Sequence, residues 1–230
     1  MNHTLQPYRS GNADGAVSVG ERNRVLRNTY WLLALSMVPT VLGAWIGVST
    51  GATSALSPGI GLVVFLAGAF GFMFAIEKTK NSAAGVPVLL AFTFFMGLML
   101  SRMLSFVLGL ANGPGLIMMA FAGTGLVFFG MAALSSIIKR DLSTMGKFLF
   151  IGAVMVLVAG IANIWLQSAA LMITLSVLVI GIFSAFIIYD LQRVKNGQET
   201  NYITATLGVY LSLYNVFSAL LSIFGLTSRE

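Results

Sequence analysis

The chain contains no cysteine. That absence excludes disulfide staples, thiolate metal sites and a cysteine nucleophile. Its only histidine is His3, in a polar N-terminal stretch, which leaves no residue for a histidine-based triad or a zinc centre in the body of the chain. Charge is scarce as well. Only 9% of the 230 residues are Asp, Glu, Lys or Arg, against about 25% in an ordinary soluble domain. Phosphate-cradling glycine fingerprints are missing, since Gly123 and Gly125 lie inside a long apolar run. What is abundant is apolar surface, with 57% of residues hydrophobic. A water-soluble fold of this length has no interior large enough to hide so much, so the composition is that of a membrane protein.

A transmembrane helix needs about 20 mostly apolar residues. Seven runs qualify: Asn28–Val48, Gly59–Ile76, Val86–Leu110, Gly115–Ile138, Lys147–Gln167, Ala169–Asp190 and Ile203–Leu226. Only Gln167 and Ser168 separate the fifth from the sixth. Fused, they would make a helix of about 43 residues and roughly 65 Å, too long for one crossing, so a tight hairpin is expected there. Residues 1–27 read as a flexible polar tail and residues 28–230 as one all-α bundle of seven transmembrane helices. The tail is too long and polar for the n-region of a signal peptide, and the first apolar run lacks a small-residue cleavage site, so that helix is expected to be retained.

The basic residues set the expected orientation. Arg9, Arg22, Arg24 and Arg27 lie in the tail; Lys78 and Lys80 follow helix two; Lys139, Arg140 and Lys147 follow helix four; Arg193 and Lys195 follow helix six. The loops after helices one, three and five hold none, and the C-terminus holds only Arg229. Cytoplasmic loops collect Lys and Arg, so the N-terminus is expected in the cytoplasm and the C-terminus in the periplasm. The net charge of +6 then reflects those loops and calls for no nucleic acid.

Polar groups inside apolar runs are the candidate functional residues. On helix seven Gly208, Ser212, Asn215, Ala219 and Ser222 follow steps of three and four and so share one face. Such a stripe belongs against protein or a water-filled path, which predicts helix seven near the bundle centre; a packing seam and a solute path are both open readings. Asp190 ends a long apolar run. The helix is expected to continue past it to a stop at Asn196–Gly197, which would place Asp190 and Arg193 three residues apart on one face. Asp190 then reads either as one half of an interface ion pair or as a carboxylate that senses protons or binds a cation. Glu77, beside Lys78 and Lys80, reads as a solvated interface residue. Arg102, inside helix three, is expected to snorkel outward or to meet backbone carbonyls in the bundle interior. Small-residue pairs four apart recur at Gly43 and Gly47, Ala67 and Gly71, Gly97 and Ser101, and Gly181 and Ala185, spacings that let helix backbones approach closely.

Catalysis is not expected. Tyr189–Asp190 matches half of an intramembrane aspartyl protease signature, but that chemistry needs two carboxylates sharing a proton, and no Gly-x-Gly-Asp partner is present. No cofactor or metal site is expected either.

Three stretches carry a family likeness: LRNTYWLLALSMVPTVLGA (residues 26–44), KRDLSTMGKFLFIG (139–152) and NGQETNYITATLGVYLSLYNVFSALLSIFG (196–225). Together they resemble the Bax inhibitor-1 family, and within it the bacterial inner-membrane proteins that modulate the FtsH protease. The resemblance implies a seven-helix bundle in the bacterial inner membrane with helix seven near its centre. It implies binding to FtsH and slower degradation of membrane substrates. The alternative it carries is a pH-sensitive calcium or proton leak. In leak-type relatives an acid on helix six and an acid on helix seven form a proton-sensitive latch. Asp190 matches the first position, whereas Ser212, not an acid, stands at the second. Ser212 and Asn215 join Asp190 as candidate pore-lining or proton-sensing residues, and Arg102 departs from the proline common in relatives after that Leu-Ser pair.

Overall fold

The computed structural model describes residues 18–138, 142 and 144–228. Among them every regular element is helical, and seven helices are long and apolar enough to cross a membrane. They are α1 (Val19–Thr50), α2 (Pro58–Thr79), α3 (Gly85–Leu108), α4 (Gly113–Ile137), α5 (Met145–Leu166), α6 (Ala169–Lys195) and α7 (Tyr202–Thr227). Residues 1–17 of the expected tail lie outside the described residues, as do Lys139, Arg140 and Arg229 of the charge argument.

The expected spans match these helices within a few residues, with one correction. Helix one begins nine residues earlier than expected, so residues 19–27 are helical rather than part of a flexible tail. Ser18 starts it, its hydroxyl accepting from the Glu21 amide at 3.1 Å. The extension is also anchored: Val25 is buried with Val194 and Ala205, and Arg22 Nη1 donates to the Lys195 carbonyl at 3.1 Å. Polar composition had concealed a helix that projects past the apolar zone and docks on the ends of α6 and α7.

The hairpin between α5 and α6 forms as expected. Gln167 takes the left-handed conformation (φ 49°), and Asn163 brackets the turn by donating to the Ser168 carbonyl and accepting from its amide. α6 runs beyond Asp190 to Lys195 and closes at Asn196–Gly197, where Gly197 sits at φ 73° and the Gln198 amide reaches back to the Arg193 carbonyl at 2.8 Å. A glycine at that position avoids the strain of a side chain with positive φ.

Two of the four small-residue pairs interlock. A methyl group at Gly43 would run into the Phe94 carbonyl oxygen, one at Gly97 into that of Thr40, and one at Gly47 into Ser101. The α1 pair and the α3 pair are therefore the two halves of one close seam. Gly71 and Gly181, by contrast, face open space. α7 touches α1, α2, α3, α4 and α6, while α5 packs chiefly on α6 and buries none of its residues.

Candidate functional site

Hydrogen bonds divide the bundle into two ends. At one end Arg22, Lys80, Ile138, Lys195 and Asn201 come together; at the other Thr53 meets Ser101 and Leu56 meets Arg102. All four described acids, Glu21, Glu77, Asp190 and Glu199, belong to the first end.

Asp190 and Gly208 are brought face to face across the α6–α7 contact. A methyl group at Gly208 would lie 2.7 Å from Asp190 Oδ2, so the first member of the helix-seven stripe supplies the space the carboxylate occupies. The expected Asp190–Arg193 pair does not form. Arg193 turns instead to Glu199, with 3.5 Å between Nη2 and Oε2, and lies over the Tyr189 ring at 5.7 Å. The loop that follows α6 curls back under the Gly197 turn, and that movement carries Glu199 within reach. Asp190 is half-buried and, among the described residues, its carboxylate has neither a hydrogen bond nor an ion pair.

Among the described residues no hydrogen bond joins the remaining stripe residues to Asp190. Ser212, Ala219 and Ser222 are buried, at 2%, 6% and 8% exposed, and Asn215 Nδ2 donates along its own helix to the Leu211 carbonyl at 2.8 Å. Two cavities open elsewhere. One of about 490 Å³ lies beside Asn23, Leu26, Arg27, Tyr30 and Trp31 of α1; one of about 240 Å³ lies between Arg102 and Tyr214. Neither is lined by Asp190, Ser212 or Asn215. Arg102 meets a carbonyl, but in the exposed loop before α2 and not in the bundle interior: Nη1 donates to Leu56 O at 3.2 Å. Glu77 pairs with Lys80 on an exposed turn. Among the described residues no three of His, Cys, Asp and Glu cluster as metal ligands would.

Sequence reasoning missed two polar assemblies. The first runs from α6 to α4 at the charged end. Gln192 Nε2 donates to Ile138 O at 2.9 Å, and Lys195 Nζ donates to Ser135 at 3.0 Å and Ser136 at 2.7 Å, covering the last turn of α4. The second ties α7 to α1 and α3 midway along the helices. Tyr210, 2% exposed, shares a 2.9 Å hydrogen bond with Thr40, and Thr206 donates to Thr29 O at 3.3 Å. The available signal was threonine and tyrosine within otherwise apolar helices, which in lipid marks a partner across the interface.

The ETNYI segment also acquires a mechanical reason. Asn201 caps α7, its side-chain oxygen accepting from the amides of Ile203 (2.9 Å) and Thr204 (3.2 Å). Its amide nitrogen donates to Lys80 O and Asn81 Oδ1, and Glu199 accepts from the Asn201 amide while holding Arg193. One residue thus starts α7 and fastens it to the end of α2.

Comparison with known proteins settles the lineage. The family model described as inhibitor of apoptosis-promoting Bax1 matches residues 22–229, nearly every described residue. The chain belongs to the Bax inhibitor-1 family. Its relatives there include the modulator of FtsH protease YccA of Escherichia coli K12, 40% identical over 208 residues that cover 90% of this chain and 92% of that one. An uncharacterized membrane protein of Vibrio cholerae is 39% identical over 210 residues, covering 91% and 92%. A Campylobacter jejuni protein, more distant, is 31% identical over 199 residues, 86% of each chain. The Escherichia coli O6:H1 relative is called an inner membrane protein. With seven apolar spans in its own structure, this Bax inhibitor-1 family member is a multi-pass protein of the bacterial inner membrane.

Proposed function

We propose that this protein is a non-catalytic membrane modulator that binds the FtsH protease and restrains its degradation of membrane proteins. The observation that carries the reading is 40% identity, over nine-tenths of both chains, to a protein named for modulating FtsH. The structure supports it by what it provides: a bundle braced at its charged end by the Asn201 and Lys195 assemblies, which displays Arg24 and Arg27 on the projecting turns of α1. In this reading helix seven is the central helix, the charged end and N-terminus face the cytoplasm, and the C-terminus faces the periplasm. Residues 1–17 are then a cytoplasmic element available for engagement. Capture of the full-length protein from native membranes in mild detergent tests it: FtsH is recovered with the intact chain and recovered less when residues 1–17 are deleted. Absence of FtsH from the intact capture overturns the reading.

A second reading, a calcium or proton leak, rests on one observation: a carboxylate without a hydrogen-bond or ion-pair partner among the described residues, set against a glycine of the neighbouring helix. Ser212 in place of a second acid weighs against calcium, which prefers about 6–8 oxygen ligands, commonly with several carboxylates. Liposomes holding the purified protein separate the readings. A calcium or proton flux that Asp190→Asn alters supports the leak, and no flux above empty liposomes contradicts it.

A further inference from the structure

The end of the bundle away from Asp190 holds a single described charge, Arg102. No described acid reaches it. One of its guanidinium N–H groups is used, by Leu56 O at 3.2 Å, in the loop between α1 and α2. A guanidinium carries five N–H donors, so among the described residues most of this one's capacity is unspent. The side chain is exposed and lies near Gly61, one turn inside α2, which puts the charge close to that end of the apolar spans.

Beside it opens the cavity of about 240 Å³. Leu62, Phe65 and Met99 give it an apolar wall on α2 and α3. Tyr214 of α7 forms the far side, and the Tyr214 hydroxyl has no hydrogen-bond partner among the described residues. The cavity exists because α2 leans on α3 and barely touches α7, leaving a slot between them. Cation at the rim and hydrocarbon below is the complement of an amphiphile with an anionic head.

We propose that this slot is a binding site for an anionic phospholipid, its phosphate held by Arg102 and an acyl chain lying along Leu62, Phe65 and Met99. The occupant is a lipid rather than free phosphate because the slot is apolar below the guanidinium. It is an anionic lipid rather than a zwitterionic one because the phosphate of a zwitterionic headgroup already carries its own cation, whereas Arg102 offers a charge that no described acid compensates. The assignment does not depend on FtsH binding or on ion flux.

Native mass spectrometry of the full-length protein tests it, with phosphatidylglycerol or phosphatidylcholine of the same acyl chains added to the micelle. One phosphatidylglycerol is retained per chain, about tenfold more tightly than phosphatidylcholine, a difference on the scale of one charge-assisted hydrogen bond. Inorganic phosphate at millimolar concentration leaves it bound. Arg102→Gln removes the preference and Arg102→Lys keeps part of it. Leu62→Trp, which fills the apolar slot and leaves the charge, weakens retention of both lipids. Equal retention by the wild type and Arg102→Gln overturns the site. So does unchanged retention in Leu62→Trp, which would mean charge attraction at an open surface, or displacement of the lipid by inorganic phosphate.

Discussion

α5 and α7 are both membrane-length helices, yet they stand in opposite relation to the protein. α5 is among the most apolar of the seven spans and buries no residue; Phe148 and Trp165 are 75% and 76% exposed. α7 is the least apolar of the seven and buries residues along its whole length, from Ile203 to Gly225. In water the ranking would be reversed. In lipid, apolar side chains gain nothing by leaving the acyl chains, so burial goes to the helix with small and polar groups that fit other helices or need partners. The same rule explains the α1–α3 seam, built on glycines, and the hydrogen bonds of Thr40, Thr93 and Tyr210, where α7 meets both.

This contrast can be broken or sharpened by mutation, with thermal unfolding in mild detergent as the readout. The largest effect is expected at the seam on which α7 rests. Gly97→Leu forces a side chain into the Thr40 carbonyl, which cannot rotate away, and costs about 3 kcal/mol; Gly160→Leu on α5, with open space before it, changes stability by less than about 0.5 kcal/mol. Comparable losses at both sites would show α5 to be packed. Next, Leu221→Ala on α7 removes a fully buried side chain and costs about 2 kcal/mol, whereas Phe148→Ala on α5 is close to neutral although it deletes more carbon. Asn201→Ala removes the cap of α7 and its tie to α2, at about 1 kcal/mol. Smallest, Tyr210→Phe deletes the bond to Thr40 and costs about 0.6 kcal/mol, the usual size of an interhelical hydrogen bond in lipid; no change would mean that Thr40, which already donates to the Ser36 carbonyl, needs no second partner.

The helices were legible because a bilayer imposes a length, and because Gly197 and the Gln167–Ser168 break punctuate the chain. Nine residues of α1 were not, since Arg22, Arg24 and Arg27 suggested a tail, although Ser18 followed three residues later by Glu21 is a helix-start signature. The stripe on α7 was legible as a face, but which helix each member meets was not. Periodicity says that residues share a side and nothing about the neighbour, so the apposition of Gly208 and Asp190 required the folded chain. The Asp190–Arg193 pairing failed for a related reason: sequence distance along α6 favoured it, but the turn at Gly197 delivered Glu199 as a better partner. Of the four small-residue pairs, only the two that happen to face each other form a seam, and spacing alone does not distinguish them from Gly71 or Gly181.

The central claim concerns what the bundle does to a protease. Its most direct test is the half-life of a membrane substrate degraded by purified FtsH in proteoliposomes, with and without the full-length protein in the same bilayer. The proposed function predicts a longer half-life that grows with the ratio of this protein to FtsH. A half-life unaffected at every ratio, with both proteins inserted, would contradict it.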